Sequence, residues 1–179
     1  MKEKFEQYLA QFVYGAIDGS VTTFAVVAGA AGAKLPSTVI IILGFANLIA
    51  DGFSMGASAY LAAKSERDLK KSKDENHDGG ETPAGDGIAT FLAFVVIGVI
   101  PVLVYVVDVL LGLKTENTTL FAISSFLTGA AFMGIGILKG QMTKTSPLKG
   151  ALETLFLGGV AAVLAYLLGD VLARALSAA

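Results

Sequence analysis

The chain has 179 residues, of which 54% are hydrophobic and only 16% are charged, with a formal net charge of −2. This composition excludes an ordinary soluble domain, and the weak charge gives no reason to expect a nucleic-acid partner. The chain has no cysteine and a single histidine, which excludes disulfides, thiolate metal sites, iron–sulfur clusters and a histidine cluster.

Five stretches of the chain are long and apolar enough to cross a membrane, since a hydrocarbon core about 30 Å thick takes roughly 20 helical residues. Charges and turn-forming residues separate the stretches. Pro101 lies inside the third stretch and is expected to kink it, because proline cannot donate the helical hydrogen bond. The sequence therefore predicts an all-α membrane protein, a single transmembrane domain over residues 1–179 with helices at about 12–33, 37–63, 88–113, 118–138 and 148–173.

The basic residues predict which way the bundle faces. With a cytoplasmic N-terminus, ten of the 13 Lys and Arg residues fall on the cytoplasmic side, as the positive-inside rule requires. Five helices then place the C-terminus on the outer or lumenal side. The polar segment at about 66–86 is predicted to be a flexible cytoplasmic loop. The tyrosines fall toward helix ends, where they are expected to anchor the membrane interface: Tyr8, Tyr14, Tyr60, Tyr105 and Tyr166.

Two carboxylates lie well inside the predicted spans, Asp18 in the first and Asp51 in the second. Acids within a membrane usually face the interior of a bundle or a water-filled path. At a rise of about 1.5 Å per residue, Asp51 lies near the midplane, while Asp18 and Met55 share a level on its cytoplasmic side. Small and polar residues recur on the second helix at spacings of three and four, which marks a face that does not meet lipid: Gly44, Asn47, Asp51, Ser54, Met55 and Ser58.

A carboxylate oxygen beside a thioether sulfur suits a borderline transition metal such as Fe²⁺ better than Mg²⁺ or Ca²⁺, which prefer all-oxygen shells. Asp18, Met55 and Asp51 are therefore the predicted metal ligands. So few ligands would bind weakly, which suits a site that must release its ion. Two alternatives stay open. Met55 could be packing while Asp18 hydrogen-bonds to a neighbouring helix, and Asp51 could carry the proton of an exchanger, since burial disfavours its ionised form.

Other residues could contribute to the same path. Glu66 and Glu153 lie near the cytoplasmic mouth, where they could attract cations or take part in proton coupling, or could simply pair with Arg67 and Lys149. Glycines four residues apart, as in the first helix, are also typical of close helix packing. The residues expected to line the path are Gly15, Gly19, Thr22, Asn47, Ser54 and Ser58.

Three segments carry a resemblance to a known family: DGSVTTFAVVAG at 18–29, the segment from Gly44 through DGFSM to Ser65, and residues 138–169. They resemble the vacuolar iron transporter family over nearly the whole chain. The most specific marks are the DG-x-V-x-T-F element and the Ser-Met element. The resemblance implies a five-helix homodimer that moves Fe²⁺, and often Mn²⁺, out of the cytosol in exchange for protons, with no permanently bound cofactor. It also implies that Asp18 and Met55 contribute to an ion path near the subunit interface.

The chain departs from the family pattern at two places. Many members carry a Glu shortly after the Ser-Met element, where this chain has Ala59, and Asp51 could substitute for that carboxylate. The best-known members also insert a metal-binding helical domain between helices two and three, where this chain has only the short segment 66–86. Both departures bear on the preferred ion and on its capture in the cytosol.

Two other functions are compatible with the same membrane fold: a non-transporting scaffold whose buried acids pair helices, and a transporter of another solute. An enzyme is not predicted, because Ser54, Ser58 and Asp51 form no recognisable set of nucleophile, base and orienting group. The expected location is the plasma membrane in a prokaryote or a vacuolar-type membrane in a eukaryote.

Overall fold

The computed structural model describes residues 2–73 and 82–178, with side chains from Tyr8 onward, and its regular secondary structure in these ranges is entirely helical. Four helices are each long and apolar enough to span a membrane, and α3 and α4 together provide a fifth, bent span. The predicted all-α membrane architecture is confirmed. The helices are α1 (Lys2–Gly32), α2 (Ser37–Ser72), α3 (Pro83–Gly98), α4 (Ile100–Leu111), α5 (Asn117–Met142) and α6 (Pro147–Ser177).

Several helices continue beyond the apolar stretches that the sequence marks. α2 runs to Ser72 rather than ending near residue 63. Lys70 and Lys71 lie in its last turn, where positive charge complements the helix dipole, and Lys70 pairs with Glu66 one turn earlier over 2.7 Å. The polar segment 66–86 is therefore helical up to Ser72 and again from Pro83, so the loop is shorter than predicted. Residues 74–81, the middle of that loop, lie outside the described residues.

Pro101 breaks the third span, as the sequence predicts. α3 ends at Gly98, α4 begins at Ile100, and the two segments meet at an angle of 50°. Proline has no N–H to donate to the carbonyl four residues earlier, and its ring crowds that carbonyl. Ser124 of α5 donates a hydrogen bond of 2.7 Å to the Pro101 carbonyl, which holds the break against α5.

α1 is the central helix of the bundle and contacts each of the other five. Half of its apolar window is buried, against 11% for α6. Gly15 and Gly19 let α1 approach α3 closely, because they lie directly against the backbone of Thr90 and Phe94 on α3. Side chains on the remaining faces of α1 can therefore meet every other helix.

Neighbouring spans alternate in direction. Gly56 meets Gly87 while Gly44 meets Val102, so α2 runs against α3 and α4, and the pairs Gly140 with Pro147 and Gly136 with Gly150 show the same for α5 and α6. The start of α1, the end of α2, the starts of α3 and α6 and the end of α5 thus share one end of the bundle, here termed the proximal end. The opposite half, the distal half, is filled by a buried apolar cluster that includes Phe24, Ile40 and Val102.

Tyr105 belongs to this distal cluster and is 0% exposed. The expectation that it anchors the membrane interface is therefore wrong. Counting along the sequence places Tyr105 toward the end of a straight helix. In the structure the third span is bent between α3 and α4, and one face of α4 is buried in the bundle. The buried face consists of Pro101, Val102, Tyr105 and Asp108.

Candidate functional site

Polar side chains of α1 and α2 face each other near the middle of the bundle. The side-chain amide nitrogen of Asn47 donates a hydrogen bond to Thr23 Oγ1 over 3.1 Å and a longer one to Thr22 Oγ1 over 3.5 Å. Thr22 Oγ1 donates in turn to the backbone oxygen of Asp18 over 2.9 Å. These bonds fix the rotation of α1 against α2, and so they orient the residue one turn below Thr22, which is Asp18.

Asp18 and Asp51 lie within range of each other's charge, on the proximal side of Asn47. Both are partly buried. Two like charges repel strongly in a medium of low dielectric constant, so this pair favours a cation beside it. Among the described side chains, which are those of residues 8–73 and 82–178, no group of three or more acidic or histidine side chains converges.

Met55 and Ser58 continue the polar face of α2 toward the proximal end. They line a pocket of about 280 Å³ together with Gln11 and Tyr14 of α1. The pocket lies on the surface of the subunit, where Tyr14 is 57% exposed. Met55 is thus level with Tyr14, about one helical turn or 5.4 Å from the level of Asp18, whereas counting from the helix midpoints predicts equal depth. The difference arises because the predicted stretches 12–33 and 37–63 differ in length, so their midpoints are not level: Thr22 and Thr23 lie level with Asn47.

The groups on α1 and α2 form a continuous series, here termed the polar track. From the proximal end it passes Met55 and Ser58, then the carboxylates Asp18 and Asp51, and ends at Asn47 with its threonine partners. The Met55 thioether has three rotatable bonds to reach along the track. Sulfur and hydroxyl groups at the mouth, with carboxylates further in, can attract and hold a cation.

Some predicted path residues lie elsewhere. Gly15 and Gly19 face the α3 backbone, which supports the packing alternative for that glycine pair. Ser54 is exposed and does not line the 280 Å³ pocket. The structure thus places Thr22, Asn47 and Ser58, but not this glycine pair, on the polar track.

The two glutamates at the proximal end are paired. Glu66 forms its ion pair with Lys70 on the same helix over 2.7 Å. Glu153 of α6 forms one with Lys139 of α5 over 3.2 Å. The partners are therefore Lys70 and Lys139 rather than the Arg67 and Lys149 considered from the sequence. Glu153 lies on the α5–α6 side of the bundle, away from α2.

Three residues are missing from the sequence-based set: Thr23 of the polar track, and Gln11 and Tyr14, which line the pocket at its proximal end. Thr23 is fully buried and accepts the shorter of the two Asn47 bonds. Gln11 and Tyr14 precede Asp18 by seven and four residues, the spacing of one helix face. That periodicity could have marked Gln11 and Tyr14, whereas the choice of Thr23 over Thr22 depends on how the helices are rotated.

A second pocket, of about 330 Å³, lies between α2 and α3 on another face of α2. Its lining includes Phe53, Tyr60, Ile88 and Phe91, and Phe53 is 70% exposed. None of the lining residues is charged. This pocket therefore offers no charged group that would orient an ionic or polar solute, and it shares no lining residue with the polar track.

The sequence model of the VIT family matches residues 9–79 and 72–170 of the chain. A vacuolar iron transporter of Plasmodium falciparum (isolate 3D7) is 27% identical over 228 residues, covering 94% of this chain and 84% of that relative. Vacuolar iron transporter 1 of Arabidopsis thaliana is 25% identical over 221 residues, covering 92% and 86%. Vacuolar iron transporter homolog 4 of the same plant is 31% identical over 107 residues, covering 56% and 54%.

Proposed function

The chain belongs to the VIT family, and we propose that it moves Fe²⁺, with Mn²⁺ as a second substrate, out of the cytosol in exchange for protons. It is an integral membrane transporter rather than an enzyme. The observation that supports a metal ion as the substrate is the polar track between α1 and α2. Its facing carboxylates, Asp18 and Asp51, can neutralise a divalent cation in a place where lipid would exclude it.

The donor atoms along the track favour a transition metal. Asp18 and Asp51 offer carboxylate oxygens, Met55 offers a soft sulfur nearer the mouth, and Asn47 offers an amide oxygen beyond. Mg²⁺ and Ca²⁺ prefer all-oxygen shells with more ligands, whereas thioether sulfur suits softer ions. With no histidine or cysteine on the track, the site would bind weakly and exchange its ion quickly, as transport requires.

A second copy of the chain is the proposed cover of the polar track. Ser54 and Ser58 are exposed on α2 and Tyr14 is exposed on α1, so this polar face lies on the outside of the single subunit. Lipid would leave the carboxylates behind it poorly solvated. A two-fold homodimer brings the same face from both subunits together. The ion path would then run along the subunit interface.

The proposed orientation places the proximal end in the cytosol. The start of α1, the end of α2 and the α5–α6 turn all lie at that end, and positive charge is typical of the cytoplasmic side. The relatives named above are vacuolar transporters, which supports a vacuolar-type membrane. The ten basic residues at the proximal end are Lys2, Lys4, Lys64, Arg67, Lys70, Lys71, Lys73, Lys139, Lys144 and Lys149, against Lys34, Lys114 and Arg174 at the distal end.

Uptake into proteoliposomes that contain a pH dye tests this function. The intact chain is expected to admit Fe²⁺ and Mn²⁺, to raise the lumenal pH as protons leave, and to exclude Mg²⁺ and Ca²⁺. An acidic lumen should accelerate metal uptake. Liposomes without protein are the control. Folded protein that moves neither metal would overturn the proposal and favour the scaffold, in which the Asn47–Thr23 hydrogen bond only joins two helices.

Asp51 is the proposed proton carrier, because it is a partly buried carboxylate beside Asp18 on the polar track. The Asp51→Asn variant loses one of the two carboxylates that hold the ion, so its Fe²⁺ uptake is expected to be slow and to need a high metal concentration. An acidic lumen should not accelerate that residual uptake, and the dye should report no proton efflux. The Glu153→Gln variant is expected to keep both effects, since Glu153 is paired with Lys139. The reverse pattern would assign proton coupling to Glu153.

A further inference from the structure

Two glycines form the floor of the second pocket, here termed the apolar groove. A Cβ at Gly56 would stand 2.8 Å from the Gly87 carbonyl oxygen, and a Cβ at Gly87 would stand 2.7 Å from the Gly56 carbonyl oxygen. α2 and α3 therefore touch through backbone at this level. Side chains of both helices form the walls, among them Phe53, Tyr60 and Ile88. The glycine contact thus leaves an apolar depression of about 330 Å³ between the two helices.

The apolar groove faces lipid and not the polar track. Phe53 and Ile88 on its walls are 70% and 59% exposed, and exposed apolar surface on a membrane span contacts acyl chains. At 3.6 residues per turn, Ser58 of the polar track lies about 160° around α2 from Tyr60 of the groove. The homodimer proposed above covers the polar face of α2. The groove, on the opposite side of that helix, therefore stays in contact with the bilayer.

Two basic residues continue the groove face of α2 toward the proximal end. Lys64 and Arg67 follow Tyr60 by four and seven residues, which places all three on one side of the helix. At a rise of about 1.5 Å per residue, the two basic residues lie about 6 and 10 Å beyond Tyr60. Both side chains are exposed, and neither forms an ion pair with another described side chain. Positive charge is therefore available just past the end of the groove.

This order of groups is complementary to an anionic phospholipid. The apolar walls suit an acyl chain, and Tyr60 lies next to them where tyrosines are typically found, at the level of the lipid headgroups. Lys64 and Arg67 have long flexible stems that can bring their charges to a phosphate at the membrane surface. Basic residues beside a membrane span attract anionic lipids, which are concentrated in the cytoplasmic leaflet. That leaflet lies at the proximal end in the orientation proposed above.

We propose that the apolar groove binds one acyl chain of an anionic phospholipid, whose phosphate is held by Lys64 and Arg67. The lipid covers the backbone contact between Gly56 and Gly87 and holds α2 against α3. A zwitterionic lipid has a cationic group beside its phosphate, so it binds the same groove more weakly. The inference requires the membrane fold alone and does not rest on the proposed transport function.

Tryptophan fluorescence tests the inference, because the chain has no tryptophan of its own. The Phe53→Trp variant places one reporter on the wall of the groove, and Phe156→Trp places one on α6, where Phe156 is similarly exposed at 69%. Both proteins are reconstituted in phosphatidylcholine vesicles that contain a small fraction of brominated lipid, which quenches tryptophan on contact. Brominated phosphatidylglycerol is expected to quench the Phe53→Trp reporter more than brominated phosphatidylcholine does, with a binding preference of at least about fivefold. The Phe156→Trp reporter should show no preference.

A pair of charge variants separates a defined site from general attraction to a basic membrane face. Lys64→Gln with Arg67→Gln, introduced into the Phe53→Trp protein, is expected to abolish the preference for phosphatidylglycerol. Lys144→Gln with Lys149→Gln removes the same charge at the same end of the bundle, beside the α5–α6 turn, and should keep the preference. An equal loss of preference in the two double variants would contradict the proposed site.

Ala57→Leu tests the groove itself, since it keeps both charges and adds bulk to the lining. The preference is expected to fall as far as in the Lys64→Gln and Arg67→Gln double variant. Full preference in Ala57→Leu would show that no acyl chain occupies the groove. Equal quenching of the Phe53→Trp reporter by the two lipids would also overturn the inference, as would no quenching by either, which would mean that a second copy of the chain covers the groove. These measurements need no metal flux, so their outcome is independent of the proposed function.

Discussion

Replacing Asp18 with asparagine is expected to abolish metal flux while leaving the protein folded. Asparagine has nearly the same shape and keeps one oxygen, but it removes the negative charge that faces Asp51. Two unit charges 4 Å apart attract by about 4 kcal/mol at an effective dielectric constant of 20, and a divalent ion is held more strongly. Loss of this attraction corresponds to at least about a thousandfold weaker binding. Fe²⁺ and Mn²⁺ uptake should therefore fall to the level of empty liposomes.

The stability of the same variant separates transport from a scaffold role. The two carboxylates repel each other, so Asp18→Asn is expected to melt at the same temperature as the parent chain or higher, as followed by size-exclusion chromatography after heating. A scaffold that uses Asp18 to join helices predicts the opposite, namely lower stability and no change in any ion flux.

Asp170→Asn is the matched control for Asp18→Asn. Asp170 is a carboxylate of α6 that pairs with Arg174 on the same helix over 2.8 Å, far along the bundle from the polar track. Its loss removes an ion pair that contributes at most about 1 kcal/mol and should leave uptake unchanged. If Asp170→Asn and Asp18→Asn transported equally, Asp18 would have no special place in the path.

Much of the fold follows from hydropathy and from one proline. The five apolar stretches correspond to α1, α2, the bent α3–α4 pair, α5 and α6, because a membrane requires about 20 apolar residues per span. Pro101 marks the break, since its missing N–H acts locally. The helix ends could not be predicted in the same way. Hydropathy marks only the part of a helix that lies in the hydrocarbon core. A helix can continue into water through charged residues, as α2 does up to Ser72, and hydropathy does not show where it ends.

The candidate site was predictable to the extent that it depends on periodicity. The spacing of Asn47, Asp51 and Met55 identifies the polar face of α2, and charge in an apolar stretch singles out Asp18. What depends on the relative rotation of helices was not predictable: the Asn47 bond to Thr23, and the turn of Gly19 toward α3. Tyr105 shows the same limit, because only the bend of α3 against α4 reveals that its hydroxyl is buried.

Replacing Gly19 with alanine is expected to disrupt the packing that positions Asp18. A Cβ at Gly19 would stand 2.8 Å from Phe94 Cα and 2.9 Å from the Phe94 carbonyl carbon. Both atoms belong to backbone and cannot rotate away, so α1 and α3 would have to separate. Forced overpacking of this kind typically costs about 1–3 kcal/mol. We expect lower yield of folded protein and a melting temperature several degrees below that of the parent chain.

Gly134→Ala is the matched control, because a Cβ at Gly134 would meet nothing within 4 Å. It adds the same methyl group to α5 and should change neither melting temperature nor metal uptake. The surviving fraction of the Gly19→Ala protein should also transport slowly, since Gly19 adjoins Asp18 and its carbonyl packs against Gly98 at the break. Separation of α1 from α3 would displace the Asp18 carboxylate from Asp51. Equal melting and equal uptake in the two alanine variants would show that the close approach of α1 to α3 does not position the carboxylate.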